Sequence, residues 1–189
     1  MAFRRSPLGM MVNNYLMKMA LPVAVWFVAE YMLRYASVSN LGLGFVLLPM
    51  MLVTPYLFFR ILRRLRQTVL GDMMLGIQAW TFGVQMAFFA GLVEAMVIYV
   101  FHAFINPAAL ADNVQATIAA YEQLTAQLQE TGAYSSMQDM LQQNVELLKQ
   151  APIPSAIETA IATLSNEILL ATLYMIPVAL SVRKKPSTL

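Results

Sequence analysis

Cysteine is absent from this 189-residue chain, and histidine occurs once, as His102. Without cysteine the chain has no disulfide, no thiolate metal site and no cysteine nucleophile. A serine–histidine triad would have to use His102, which ends a long apolar segment, and no nucleophile elbow precedes a helix. The sequence therefore predicts no catalytic residue, no metal site and no cofactor, and it names no reaction.

Charge is also scarce, because charged residues make up 12% of the chain and hydrophobic residues 59%. Soluble domains carry about 25% charged residues, so a water-soluble fold of this composition would have too little polar surface to cover itself. A bilayer removes that requirement, and lipid is the first predicted partner. Nucleic acid is not expected as a partner, because the basic groups are predicted to face anionic lipid headgroups.

The basic residues are concentrated in three places along the chain, separated by long apolar stretches. They are Arg4, Arg5 and Lys18 near the N-terminus, then Arg60, Arg63, Arg64 and Arg66, and finally Arg183, Lys184 and Lys185. Basic clusters mark the cytoplasmic side of helical membrane proteins. The pattern predicts a multi-pass membrane protein whose N-terminus, second connection and C-terminus are cytoplasmic.

Four apolar spans are predicted, at about residues 16–36, 41–59, 77–103 and 159–182. About 20 apolar residues suffice to cross the hydrocarbon core as a helix. We interpret the first span as a retained helix rather than a cleaved signal peptide. Glu30 and Arg34 interrupt what would be the apolar core and cleavage region of such a peptide.

Residues 106–158 have a different composition, with six acidic side chains and Lys149 as the single basic one. Asn106 and Pro107 break the third span, and apolar residues then recur at helical spacing in two further stretches. The positive-inside rule places this acidic segment outside. The predicted fold is all-α, with four transmembrane helices and a periplasmic helical hairpin between helices 3 and 4. This divides the chain into residues 1–105, 106–158 and 159–189.

A basic connection precedes the third span, and that span ends in the residues YVFHAFINP at positions 99–107. Together with the helical insert and the closing basic tail, these features resemble the small four-span membrane proteins of Bacteroidetes grouped as DUF4199. The resemblance covers most of the chain. It implies a bacterial inner membrane and an insert in the periplasm, and it supplies no catalytic residue.

Three carboxylates, Glu30, Glu94 and Glu167, lie within predicted spans. At 1.5 Å per residue, all three lie roughly 9–14 Å below the outer surface, with Arg34 and His102 just above them. Ionisable residues inside a membrane are functional candidates by default. If these side chains converge, they form a polar cavity, open to the periplasm, that binds a proton, a cation or a lipid headgroup.

A purely structural interpretation of the same residues stays open. Glu30 and Arg34 have the i,i+4 order that favours a helical ion pair. Glu94 would then be protonated and bonded to Asn166 or to a backbone carbonyl, and Glu167 would reach water. A metal site made of Glu94, His102 and Glu167 is disfavoured, because no ligand pair is close in sequence.

Gly76, Gly83 and Gly91 fall near one face of the third span, where small residues let helices approach closely. This face predicts packing either within the chain or between copies of it.

Three functional hypotheses follow. The first is a non-enzymatic subunit or scaffold that presents the periplasmic hairpin to another membrane or periplasmic protein. The second is a small transporter or channel component that uses the carboxylates. The third is a lipid-handling protein or membrane enzyme.

Overall fold

The computed structural model describes residues 6–38, 40–130 and 135–184, and within these ranges the chain is helical. Its helices are α1 (Pro7–Ser37), α2 (Leu41–Thr68), α3 (Gly76–Val100), α4 (Ala109–Glu130), α5 (Ser135–Gln150) and α6 (Ala156–Val182). A short π-helical segment, Phe101–Ile105, continues α3. The predicted basic residues Arg4, Arg5 and Lys185 lie outside the described residues. The all-α fold class is confirmed.

Four of these helices are long and apolar enough to cross a membrane, namely α1, α2, α6 and α3 together with its π segment. Each is longer than the span predicted from hydropathy, because local signals outside the apolar stretch extend it. The Ser6 hydroxyl accepts a hydrogen bond from the Gly9 amide at 3.0 Å and caps α1. At its C-terminal end, α2 continues to Thr68, so the basic residues between positions 60 and 66 lie on its last turns.

The glycines of α3 allow a close approach between α3 and α6, the most extensive helix contact in the bundle. A Cβ atom built at Gly83 would lie 2.1 Å from Met175 Cε, and one built at Gly91 would lie 2.9 Å from Leu164 Cδ1. At Gly76 the nearest atom, on Arg183, would be at an ordinary 3.9 Å. Gly83 and Gly91 therefore pack against the last helix of the same chain.

Helices α4 and α5 pack against each other through the buried side chains of Ile118, Thr125, Leu141 and Val145. An exposed ion pair of 2.8 Å joins Lys149 to Glu122, and hydrogen bonding to Glu122 raises the pKa of Lys149. Contact with the spans is made where α4 begins. There the Tyr35 hydroxyl donates to the Ala109 carbonyl at 3.2 Å.

The opposite end of the bundle is closed by an ionic contact between the α2–α3 turn and the end of α6. Asp72 adopts a left-handed φ of 65° in this turn and pairs with Arg66 at 3.0 Å and with Lys184. The hydrogen bond from Lys184 is the main reason that the pKa of Asp72 is lowered. Arg66 also donates to the Val182 carbonyl at 2.6 Å. We call this the basic end, and the opposite end, where α4 begins, the α4 end.

Candidate functional site

Five polar side chains are buried among the four spans, and together they define the candidate site. They are Glu30, Thr54, Glu94, His102 and Glu167. The four helices α1, α2, α3 and α6 all contribute, and each of these residues lies at or beyond the middle of its helix, toward the α4 end. Four of the five were candidates in the sequence. Thr54 was missed, because a threonine in an apolar span gives no signal of its own.

Glu30 is held by hydrogen bonds rather than by an ion pair. Its Oε1 accepts from the Thr54 hydroxyl at 2.7 Å and from Trp26 Nε1 at 3.0 Å, and the indole N–H is also 2.9 Å from the Thr54 oxygen. Arg34 is exposed on α1. Among the described residues no ion pair joins Glu30 to Arg34, so the pair suggested by their i,i+4 spacing is not formed.

Glu94 is the most deeply buried of the carboxylates, with 1% of its surface exposed. Its Oε2 atom has no hydrogen-bond partner within the described ranges, and Asn166, once considered as that partner, is exposed on α6. Glu167 approaches from α6, because its Cβ lies 3.9 Å from the Cβ position of Gly91. Gly91 is one turn of α3 below Glu94.

The three carboxylates and Arg34 are close enough to act on one another electrostatically. Glu94 interacts with Glu167, Arg34 and Glu30, and Glu167 interacts with Arg34 and Glu30. If all were ionised, three negative charges would face one guanidinium, which leaves two uncompensated. That Glu30, Arg34, Glu94, His102 and Glu167 form one polar cavity stays a prediction.

His102 lies two turns above Glu94, in the π-helical segment. There the Asn106 amide donates to the Phe101 carbonyl at 2.8 Å, five residues back. The extra residue per turn of a π segment changes the direction of its side chains. His102 Nε2 is 2.7 Å from the Tyr31 hydroxyl, whereas the buried Nδ1 has no partner among the described residues. The rings of Tyr31 and Tyr35 contact the imidazole edge-on.

Tyr174 extends the polar cluster toward the basic end, and sequence reasoning missed it. Its hydroxyl is buried, has no partner in the described part of the chain, and interacts electrostatically with Glu167 and Glu30. Its ring packs edge-on against Phe58, with centroids 5.4 Å apart. Tyrosines are common in membrane helices, so the sequence offered no reason to select this one.

Within the described residues no three His, Asp or Glu side chains come close enough together to hold a metal ion. The cluster nevertheless brings carboxyl groups into an apolar surrounding, where an isolated ionised carboxylate is strongly disfavoured. Its chemistry is therefore that of carboxylates binding protons or small cations.

The family model described as "Protein of unknown function (DUF4199)" matches residues 17–184, which include most of α1 and all of the later helices. No curated protein and no solved structure is similar to the chain.

Proposed function

The chain belongs to the DUF4199 family, and we propose that it is a small transporter or channel component of a bacterial inner membrane. Its working group is Glu94, with Glu167 beside it, which takes up and releases protons inside the membrane. The observation that carries this proposal is Glu94, a carboxyl group that is almost fully buried and has one oxygen without a hydrogen-bond partner among the described residues.

The charge balance of the cluster supports this role. A buried carboxylate retained only for packing is usually satisfied by hydrogen bonds, as Glu30 is by Trp26 and Thr54. Glu94 instead lies near a second carboxylate, Glu167, across the α3–α6 contact, and among the described residues the exposed Arg34 is the cation that interacts with both. Polar groups that are this expensive inside a membrane generally mark ion pathways or proton relays.

The proposal is tested first by proton binding. Infrared difference spectra of the reconstituted protein, recorded between acidic and alkaline pH, are expected to contain the carbonyl stretch of a protonated carboxyl group. Glu94→Gln should remove most of this signal, because the amide keeps the shape of the side chain and cannot ionise. The matched control is Glu146→Gln on the exposed surface of α5, which should leave the buried-carboxyl signal unchanged.

Transport is tested in liposomes loaded with a pH-sensitive dye and energised by a potassium diffusion potential. We expect proton movement that depends on the protein and is lost in Glu94→Gln but not in Glu146→Gln. Proton movement equal to that of empty liposomes, together with no titrating carboxyl band, would overturn the proposed function.

The scaffold hypothesis is kept as a second candidate because of the surface of α4 and α5. This pair exposes the apolar side chains Leu124, Met140 and Leu147, whereas other, buried side chains form the contact between α4 and α5. If this pair presents a binding surface, Leu147→Asp should release a partner that co-purifies in mild detergent with the unaltered protein. Proton binding at Glu94 should be unaffected. Purification without any partner from the native membrane counts against the scaffold role.

A further inference from the structure

The buried surfaces of the four spans divide the bundle into a polar half and an apolar half. Toward the α4 end, buried positions include Glu30, Thr54, Glu94, His102 and Glu167. Toward the basic end, the buried positions of the same helices are apolar: Val12, Leu16, Ala20, Val23, Ala24 and Phe27 on α1, Phe58, Ile61, Leu62 and Leu65 on α2, Ala79, Met86, Ala87 and Ala90 on α3, and Ala171, Met175, Val178, Ala179 and Val182 on α6. The change occurs at similar depth on every helix.

Two buried polar atoms of α3 and its π segment lie along the polar half without a partner among the described residues: His102 Nδ1 and Glu94 Oε2. His102 and Glu94 are eight residues apart, which is about 12 Å along a helix. Buried polar atoms that lack a protein partner are the usual positions of internal water. Their succession describes a path rather than a single pocket.

We propose that this path is a proton half-channel, open to water at the α4 end and closed toward the basic end below Glu94 and Glu167. This inference rests on the proposed proton function and adds the direction from which protons arrive. The positive-inside prediction places the α4 end in the periplasm. Protons would then reach Glu94 from the periplasm, past His102 and Tyr31.

The groups at the mouth of the path suit proton relay. An imidazole binds a proton at one nitrogen and releases one from the other. His102 has one nitrogen within 2.7 Å of the Tyr31 hydroxyl, and the other carries no contact among the described residues. Arg34, which interacts electrostatically with Glu94 and Glu167, is exposed one turn along α1 from Tyr31.

The closed end is formed by aromatic and aliphatic side chains. The rings of Phe27 and Phe58 stack with centroids 6.3 Å apart, and Phe58 contacts Tyr174. A hydrogen-bonded polar pair does exist nearer the basic end, where Gln85 donates to Asn13 at 3.0 Å. It lies half-exposed in a groove of about 1090 Å³ between α1 and α3, outside the buried core.

The absence of natural cysteine permits a direct test, since every thiol in a single-cysteine variant is an introduced one. Ile98 and Met86 form a matched pair, because both are fully buried side chains of α3. Ile98 lies one turn above Glu94, and Met86 lies two turns below it. Met140→Cys on exposed α5 is the positive control for reagent access.

Silver ions are added to sealed vesicles on the side that carries α4 and α5. They are then quenched, the protein is unfolded in detergent, and free thiols are counted with a fluorescent maleimide. A thiolate reacts with silver only where water reaches it. We expect Ile98→Cys and Met140→Cys to lose maleimide labelling and Met86→Cys to keep it. His102→Cys, one turn above Ile98, probes the same half of the bundle if Ile98→Cys does not fold.

Retention of the label at Ile98 while Met140→Cys is blocked would overturn the half-channel, as would blocking of Met86→Cys to the same extent as Ile98→Cys. These failures are distinguishable from failure of the proposed function. In both cases the carboxyl band of Glu94 would still titrate. Proton binding at Glu94 would then be supported, and only the proposed water path to it would be rejected. If the band is absent as well, the proton function itself is wrong.

Discussion

Replacing Glu94 by methionine is expected to stabilise the bundle and to abolish proton exchange at the same time. Methionine is similar in length and flexibility to glutamate, so it fills the same volume without a charge. Replacing buried charged groups by apolar side chains of similar size is often neutral or stabilising by about 1–4 kcal/mol. Because Glu94 Oε2 has no hydrogen-bond partner to lose in the described structure, we expect a gain of about 1–3 kcal/mol.

Glu30→Met is the matched control for this prediction, and the opposite sign is expected. Glu30 accepts hydrogen bonds from Thr54 and Trp26, so its loss leaves buried donors without their acceptor. Each such group costs about 1–3 kcal/mol. Denaturant or thermal unfolding of the two variants in the same detergent measures both effects. If Glu94→Met destabilises the bundle as much as Glu30→Met does, Glu94 serves the fold rather than function.

The positions of the helices were largely predictable, because the signals that set them are local. An apolar run of sufficient length predicts a span, and Ser155 with Glu158 predicts where α6 begins. In the structure the Ser155 amide donates to Glu158 Oε2 at 2.8 Å, and the Ser155 hydroxyl accepts from the Glu158 amide. The family resemblance is confirmed by the match over residues 17–184. The periplasmic location of residues 106–158 stays a prediction.

The depth of the carboxylates in the membrane stays a prediction, which follows from counting residues along each span. Whether they face one another depends on the rotation of each helix, which is set by contacts such as those of Gly83 and Gly91 with α6. The i,i+4 rule for Glu30 and Arg34 considered only neighbours on one helix. In the bundle, Thr54 on α2 donates a hydrogen bond of 2.7 Å to Glu30, and Arg34 is exposed.

Uncharged members of the cluster were not predictable, because their role depends entirely on what lies opposite. Thr54 and Tyr174 belong to residue types that occur throughout membrane helices. Only the structure places the Thr54 hydroxyl between Glu30 and Trp26, and the Tyr174 hydroxyl in an apolar surrounding near Glu167. Substitution of Thr54 or Tyr174 therefore tests contacts that the structure shows and that the sequence does not predict.

Thr54→Val is expected to destabilise the protein by about 2 kcal/mol while leaving α2 intact. Valine has the same branched shape as threonine, so packing is retained and the hydroxyl alone is removed. That hydroxyl donates at 2.7 Å to the buried Glu30 carboxylate, and hydrogen bonds to charged groups contribute about 1.5–3 kcal/mol. Thr54→Ser keeps the hydroxyl and should cost less than Thr54→Val. Unfolding in detergent provides the comparison.

A double-mutant cycle decides whether the loss belongs to the hydrogen bond. In a Glu30→Met background the acceptor is already gone, so adding Thr54→Val should cost much less than it does in the unaltered protein. Trp26 Nε1 approaches both partners and is left in place in all four proteins, which keeps its contribution common to the cycle. An equal loss of unfolding free energy in both backgrounds would mean that Thr54 acts through packing. The hydrogen bond from Thr54 on α2 to Glu30 on α1 would then not contribute to stability.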